Sequence, residues 1–98
     1  MSTNEPAIVR DGTLWGIDDQ LGAVSRVRLQ STGPGEYELL KVTTREDRQR
    51  EGHAARLFAR AVADLGDVRR VIASTTNDGD ALIAYLERLH PSIEFETD

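Results

Sequence analysis

LLKVTTREDRQREGHAARLFARAVADL, residues 39–65, contains the clearest change of pattern in the sequence. It begins with a strand-like run, continues through the charged residues 45–51, and reaches Gly52. Apolar residues then recur at three- and four-residue spacing, which predicts one apolar stripe along a helix. These positions are Ala54, Leu57, Phe58, Ala61, Val62 and Leu65. The stretch therefore predicts a strand, a charged loop and an amphipathic helix.

Before this stretch the chain alternates short strand-like runs with turn residues. The runs are residues 7–10, 13–17, 23–30 and 36–44. The dipeptide Asp11-Gly12 separates the first two runs and favours a two-residue hairpin turn. The segment Ser31–Gly35 is the strongest turn signal, because it combines Gly, Pro and Gly. An antiparallel meander is the natural interpretation.

After Gly66-Asp67 the β-branched content of residues 68–76 predicts another strand. Residues 77–80 offer helix caps, Pro91 stops the following helix, and residues 92–95 form a short last strand. The predicted apolar stripe of this second helix is Ala81, Leu82, Tyr85, Leu86 and Leu89. The sequence predicts an α+β fold with a largely antiparallel sheet and two helices.

Composition limits the size and the class of the protein. The chain has 98 residues, 12 Lys plus Arg, 17 Asp plus Glu, and no Cys. We expect a flexible N-terminus, residues 1–6, and a single domain, residues 7–98. The net charge of −5 argues against a nucleic-acid partner. No apolar run approaches the roughly 20 residues that span a bilayer, and no signal peptide is evident, so we expect a cytoplasmic protein.

The remaining aromatic and imidazole side chains have ordinary interpretations. Trp15 is expected to pack in the hairpin, with substrate stacking as the alternative. His53, at the start of the first helix, is expected to be solvated. His90 ends a helix, where the dipole favours an imidazolium. Neither has a partner at metal-ligand spacing, so no metal is predicted.

The start of the first helix is the candidate site. The first N–H groups of a helix have no intrahelical partner and carry partial positive charge, so they can hold phosphate oxygens. Gly52 allows close approach to the backbone. Arg45, Arg48 and Arg50 would add mobile positive charge. The alternative is a solvated charged loop that enters an ordinary helix.

The residues Gln49-Arg50-Glu51-Gly52-His53-Ala54 match a Gln/Arg-x-x-Gly-x-Gly/Ala signature. With the strand before it and the helix after it, this segment resembles the GNAT superfamily of N-acetyltransferases, in which the loop cradles the coenzyme A pyrophosphate. The resemblance extends over about residues 23 to 98 and includes a late motif of Asn, Ala and Tyr, here Asn77, Ala81 and Tyr85.

The resemblance implies a role for each matching position. Backbone N–H groups of Gln49, Arg50, Glu51, Gly52, His53 and Ala54 would bind pyrophosphate. The strand backbone of Val42, Thr43 and Thr44 would pair with the pantetheine arm, and Asn77 would also lie at the cofactor. Tyr85 would protonate the leaving thiolate, with a core tyrosine as the alternative. Glu36 and Glu38 could accept a proton from the acceptor, but solvated carboxylates are the preferred interpretation.

This resemblance implies acetyl transfer from acetyl-CoA to an amine acceptor, a small molecule or a protein. The alternative is a non-catalytic GNAT-like protein that binds another protein, with or without coenzyme A. Compared with the full family fold, the usual first strand and first two helices are missing, which would leave apolar surface open on the sheet. A second copy of the chain or a partner protein would then cover it.

Overall fold

The computed structural model describes residues 7–49, 51–73 and 77–97, with the backbone alone for 77–80. A single 3-10 turn, Glu46–Arg48, interrupts the charged loop. The regular elements are β1 (Ile8–Asp11), β2 (Leu14–Asp19), β3 (Gly22–Gly33), β4 (Glu36–Thr44), α1 (His53–Leu65), β5 (Arg70–Ala73), α2 (Asn77–Leu89) and β6 (Glu94–Thr97).

The six strands form one sheet in the order β1 to β6. Strands β1 to β4 pair antiparallel, whereas β4 with β5 and β5 with β6 pair parallel. The change of direction follows from the connections, because short turns join antiparallel strands and a helix crossover joins parallel ones. The predicted α+β fold, with a largely antiparallel sheet and two helices, is confirmed.

Two turns lie one or more residues later than predicted. Asp11 pairs with Leu14, so the first turn is Gly12-Thr13 rather than Asp11-Gly12. Gly12 supplies the positive φ, 62°, that the turn needs. Strand β3 continues to Gly33, which pairs with Glu36, so the second turn contains only Pro34-Gly35. In both cases strand pairing extends into residues that propensity assigns to the turn.

Strand β4 contains a β-bulge that bears on the site. Arg28 pairs with Lys41 and Leu29 pairs with Leu39, which leaves Leu40 as the extra residue. A bulge bends its strand, and its extra residue is left out of the ladder. Leu40 is accordingly exposed. The described pairing of β4 with β5 ends at Leu39 and Ala73, one residue before this bulge.

Both helices lie on the same face of the sheet. Phe58 of α1 packs against His90 after α2 and Phe95 of β6, with ring centroids 5.2 and 5.7 Å apart. Trp15 of β2 is fully buried in the same core and donates from Nε1 to Asp64 of α1 at 2.8 Å. The expected packing role of Trp15 is confirmed.

The opposite face of the sheet carries charged side chains. Register places Arg28 beside Lys41 on this face, and Glu38 in the row that continues to Ile72 and Glu96. The helices have 13 residues each, and in the described ranges neither is long and apolar enough to cross a membrane.

The apolar stripe predicted for α2 is correct only in part. Leu86 is buried and Leu82 packs against the core as predicted, but Tyr85 and Leu89 are 43% and 48% exposed, and Ile83 is buried instead. Helix α2 therefore packs on its Ile83–Leu86 side. The predicted capping residues 77–80 form its first turn, and the last strand begins at Glu94, two residues later than predicted. Residues 74–76 of the predicted strand lie outside the described residues.

His90 does not favour the charged form that the sequence analysis expects. Its side chain is half-buried and meets Phe58 edge to face, and Nε2 is buried without a hydrogen-bond partner among the described residues. This burial lowers the pKa of His90. The desolvation cost of the cation outweighs the helix dipole here.

Candidate functional site

The end of β4 leads directly into the loop of residues 45–52. The Arg45 N–H donates to the Val24 carbonyl at 2.7 Å, and the Gln49 side-chain amide donates to the Thr44 carbonyl at 3.3 Å. Gly52 ends the loop with φ 82°, a left-handed conformation that glycine adopts without a steric cost. The loop is thus tied to β3 and β4 at its beginning and turns sharply into α1.

The N-terminus of α1 is open to a ligand. Its N-cap residue, Gly52, has no side chain that could cap the first N–H groups, and its first turn contains no acidic residue. The Arg56 N–H bonds to the Gly52 carbonyl at 3.0 Å, so the N–H groups of His53, Ala54 and Ala55 precede the first intrahelical bond. A Cβ placed on Gly52 would meet no atom within 4 Å. These features suit an anion that approaches the backbone.

Arg45 and Arg48 of the loop are held by ion pairs, whereas the sequence predicts mobile side chains. Asp19, the last residue of β2, receives two bonds from Arg45, at 2.5 and 3.1 Å, and one from Arg48 Nη1 at 2.9 Å. Arg45 Nε also donates to Asp47 at 2.6 Å. The third arginine, Arg50, lies outside the described residues. An acidic residue far away in sequence therefore organises the loop.

Asp19 is a site residue that the sequence analysis missed. The hydrogen bonds and charges of Arg45 and Arg48, together with the Leu21 N–H, hold the pKa of Asp19 far below its usual range. The pKa of Arg45 is raised in turn, chiefly by its hydrogen bond to Asp19. In the sequence, Asp19 is only one carboxylate of a predicted turn, and its spacing from Arg45 carries no helix or strand signal.

His53 is buried, whereas the sequence analysis expects a solvated side chain. It is 6% exposed, and its Nε2 lies 2.7 Å from Glu51 and 3.4 Å from Arg48 Nη2. Its Nδ1 is buried and has no hydrogen-bond partner in the described part of the chain. The ring turns inward because Glu51 and Arg48 give its other nitrogen polar contacts.

Glu51 is the acidic member of this cluster. It accepts from Arg48 Nε at 2.8 Å and contacts His53 Nε2 at 2.7 Å through the same oxygen. The hydrogen bond of Arg48, followed by that of His53, lowers the pKa of Glu51. A carboxylate therefore lies on the residue directly before Gly52 and uses the Arg48 Nε donor.

The end of β4 is paired firmly on its β3 side. Val42, Thr43 and Thr44 pair with β3, and among the described residues they have no partner on the β5 side. The Ser25 hydroxyl donates to the Thr43 carbonyl at 2.8 Å and lies 3.0 Å from the Thr44 hydroxyl. Residues 74–76, which follow β5 in the chain, lie outside the described part.

Tyr85 lies outside the core, so the alternative of a buried tyrosine does not hold. Its hydroxyl has no hydrogen-bond partner in the described part of the chain, and the Arg88 guanidinium lies 5.9 Å from its ring centroid. The structure places Tyr85 on α2, without a hydrogen bond to the loop. Asn77 begins the α2 backbone, and its side chain lies outside the described part.

The two strand carboxylates differ in their surroundings. Glu36 accepts from Arg70 Nη1 at 2.8 Å, so it belongs to an ion pair between β4 and β5. Glu38 is half-buried on the uncovered face of the sheet and forms no ion pair among the described residues. Neither touches the loop at α1.

Solved structures with the same fold include proteins that are named as acetyltransferases. A GCN5-like putative N-acetyltransferase from Staphylococcus aureus has 11% identity and a TM-score of 0.69, with 98% of this chain and 94% of that chain covered. The ribosomal-protein-S18-alanine N-acetyltransferase from Escherichia coli has 18% identity and a TM-score of 0.64, with 82% and 54% covered.

A third is the N-acetylglutamate synthase from Neisseria gonorrhoeae complexed with coenzyme A and N-acetyl-glutamate, with 17% identity, a TM-score of 0.63, and 74% and 18% covered. This chain thus spans 54% of the E. coli enzyme and 18% of the Neisseria enzyme. No family model and no curated protein matches the sequence. The chain has the GNAT fold.

Proposed function

We propose that this protein transfers an acetyl group from acetyl-CoA to an amine acceptor. The observation that carries the proposal is the uncapped N-terminus of α1, which follows the left-handed Gly52 and the end of β4 within a GNAT fold. Helix N-termini preceded by glycine bind phosphate groups, because the N–H groups and the dipole both favour an anion.

In this proposal, different residues bind different parts of acetyl-CoA. Backbone N–H groups of the loop from Gln49 to Ala54 hold the pyrophosphate, and the backbone of Val42, Thr43 and Thr44 pairs with the amide groups of pantetheine. Asn77, at the start of α2, lies beside the same arm. The coenzyme supplies the reactive thioester, and the protein supplies orientation.

The Leu40 bulge and Tyr85 are proposed to serve the reacting end. The bulge frees backbone groups of β4 from the ladder at the point where its described pairing with β5 has ended. An N–H group there can stabilise negative charge on the thioester oxygen. The exposed Tyr85 hydroxyl gives its proton to the departing thiolate, and water accepts the proton that the amine loses.

Coenzyme A in the Neisseria enzyme supports acetyl-CoA as the cosubstrate here. The proposal identifies the acceptor by its amine group alone. Acetyl-CoA is an intracellular metabolite, so the proposal includes a cytoplasmic location.

Calorimetric titration with acetyl-CoA tests the proposal. Gly52→Val places a branched side chain in the open space at the α1 N-terminus, and we expect it to weaken binding about tenfold or more. Gly66→Val is the matched control, because Gly66 has φ 78°, ends the same helix and also borders open space. It introduces similar backbone strain far from the proposed phosphate site.

We expect both variants to lose stability and only Gly52→Val to lose affinity. No heat of binding at millimolar acetyl-CoA for the wild-type protein would refute the proposed function. Equal weakening by Gly52→Val and Gly66→Val would place the ligand elsewhere.

One observation favours a second function, that of a non-catalytic protein that binds another protein. Arg45 and Arg48 are already paired with Asp19, Asp47 and Glu51, so these two arginines have counter-charges without a ligand. Transfer assays with mixed amines separate the two functions. The non-catalytic function is supported if the protein binds acetyl-CoA but transfers the acetyl group to no amine. Loss of the Tyr85 hydroxyl should then leave the background rate of transfer unchanged.

A further inference from the structure

Arg48 makes contacts with two different carboxylates through different nitrogens. Nη1 donates to Asp19 at 2.9 Å and Nε donates to Glu51 at 2.8 Å, while Nη2 lies 3.4 Å from His53 Nε2. The bond to Asp19 fixes the guanidinium from the β2 side. Loss of the Glu51 bond would therefore leave Arg48 in place, with Nε free to donate.

Glu51 itself has few constraints besides these contacts. Its side chain is 46% exposed, and a single carboxylate oxygen, Oε1, contacts both Arg48 Nε and His53 Nε2. It precedes Gly52, beside which the N–H groups of the first α1 turn have no side-chain cap. The carboxylate thus occupies the Arg48 Nε donor, as an anionic ligand would.

We propose that Glu51 is an internal competitor of the pyrophosphate and sets the affinity of the site. This inference rests on the proposed function. Binding of the pyrophosphate displaces the Glu51 carboxylate from Arg48 Nε, and a phosphate oxygen then takes that donor. Asp19 is a positioning residue, because it keeps Arg48 at the loop before and after the exchange. Affinity is the balance of the two anions for one guanidinium.

The experiment compares Glu51→Gln with Glu46→Gln. Both remove one negative charge from the same loop, but the Glu46 side chain forms no bond with the described residues. We expect Glu51→Gln to bind coenzyme A about three- to tenfold more tightly, since it loses a competing, half-exposed charge. Glu46→Gln should stay within about twofold of the wild type.

The choice of ligand gives a readout that a general structural change would not move. ADP carries the pyrophosphate, whereas pantetheine lacks it. The gain from Glu51→Gln should appear with coenzyme A and ADP and be absent with pantetheine. Arg48→Gln in the Glu51→Gln background should remove the gain, because the freed Nε donor is then missing.

Each outcome bears on the inference. If the wild type binds coenzyme A and Glu51→Gln binds it equally or more weakly, the inference is overturned while the proposed function stands. If neither protein binds coenzyme A, both are overturned. Binding by Glu51→Gln alone, or tighter binding confined to pyrophosphate ligands, supports the inference.

Discussion

Tyr85 is available for chemistry because its side chain lies outside the core. We expect Tyr85→Phe to lower turnover about 10- to 100-fold and to leave acetyl-CoA affinity nearly unchanged, since the hydroxyl is proposed to act only as the thiolate departs. Steady-state kinetics together with calorimetry separate the two effects. Equal turnover under conditions where chemistry limits the rate would remove Tyr85 from the mechanism.

Tyr37→Phe is the matched control for the loss of a hydroxyl. Tyr37 is buried, and its hydroxyl donates to Asp67 at 2.6 Å, a bond that raises the pKa of Tyr37. Its loss should cost about 1 kcal/mol of stability and leave turnover unchanged. The two tyrosines therefore distinguish a catalytic hydroxyl from a structural one.

For single residues, the sequence predicts the place of a residue within a loop or helix better than it predicts the burial and contacts of its side chain. The loop signature locates Gly52 and the start of α1 correctly, because a glycine before an apolar period is a local pattern. The burial of His53 could not be predicted, since it depends on Arg48 and Glu51 contacting one ring nitrogen. The pairing of Arg45 with Asp19 spans 26 residues and arises only when β2 and β4 lie in one sheet.

The loop of residues 45–52 depends on the end of β2 through Asp19. Because the pKa of Asp19 is lowered in the folded protein, its contribution to stability is present above the unfolded pKa of about 4 and is lost as pH falls below it. We expect Asp19→Asn to lower the unfolding midpoint at pH 7, with a difference from the wild type that shrinks as pH falls toward 2.

Thermal unfolding between pH 7 and pH 2 measures this difference. Asp18→Asn is the control, because Asp18 is the adjacent residue, is half-exposed and pairs with one arginine, Arg26 at 2.7 Å. Its effect at pH 7 should be the smaller of the two. A constant gap between wild type and Asp19→Asn over the whole range would show that the charge of Asp19 is not what stabilises the loop.

The elements follow from the sequence more reliably than their buried faces. Strand and helix order is correct because alternation, turn residues and helical spacing are local. In α2 the stripe of Ala81, Tyr85 and Leu89 is as apolar as the Ile83–Leu86 side, so the sequence alone offers two candidate faces. Packing decides between them: Phe58, His90 and Phe95 bring the end of α2 onto α1 and β6.

The uncovered face of the sheet carries charged side chains, whereas the sequence predicts open apolar surface on the sheet. The exposed large apolar residues are scattered over β1, the β2–β3 turn, β4 and α2. Arg28 and Lys41 are instead adjacent like charges, whereas Glu38 is separated from Glu96 by Ile72, and Glu96 already pairs with Arg70. Like charges directly opposite each other are unfavourable without a counter-charge.

We propose that a second copy supplies the counter-charge, with the basic pair of each copy against Glu38 of the other. Two-fold symmetry forms this contact twice, once from each copy to the other. Such a contact weakens with salt, because screening shortens the range of exposed charges. We expect light scattering to give a mass above 10.9 kDa at low salt and near 10.9 kDa at high salt.

Lys41→Glu tests the geometry of this contact, since it places an acidic residue in the basic pair and should abolish self-association at every salt concentration. Lys41 is the β4 residue that follows the bulge, and it lies outside the loop that is proposed to bind pyrophosphate. A mass near 10.9 kDa at low salt and high micromolar concentration would refute the dimer. A larger mass that salt and Lys41→Glu leave unchanged would instead place the contact on apolar residues such as Tyr85 and Leu89.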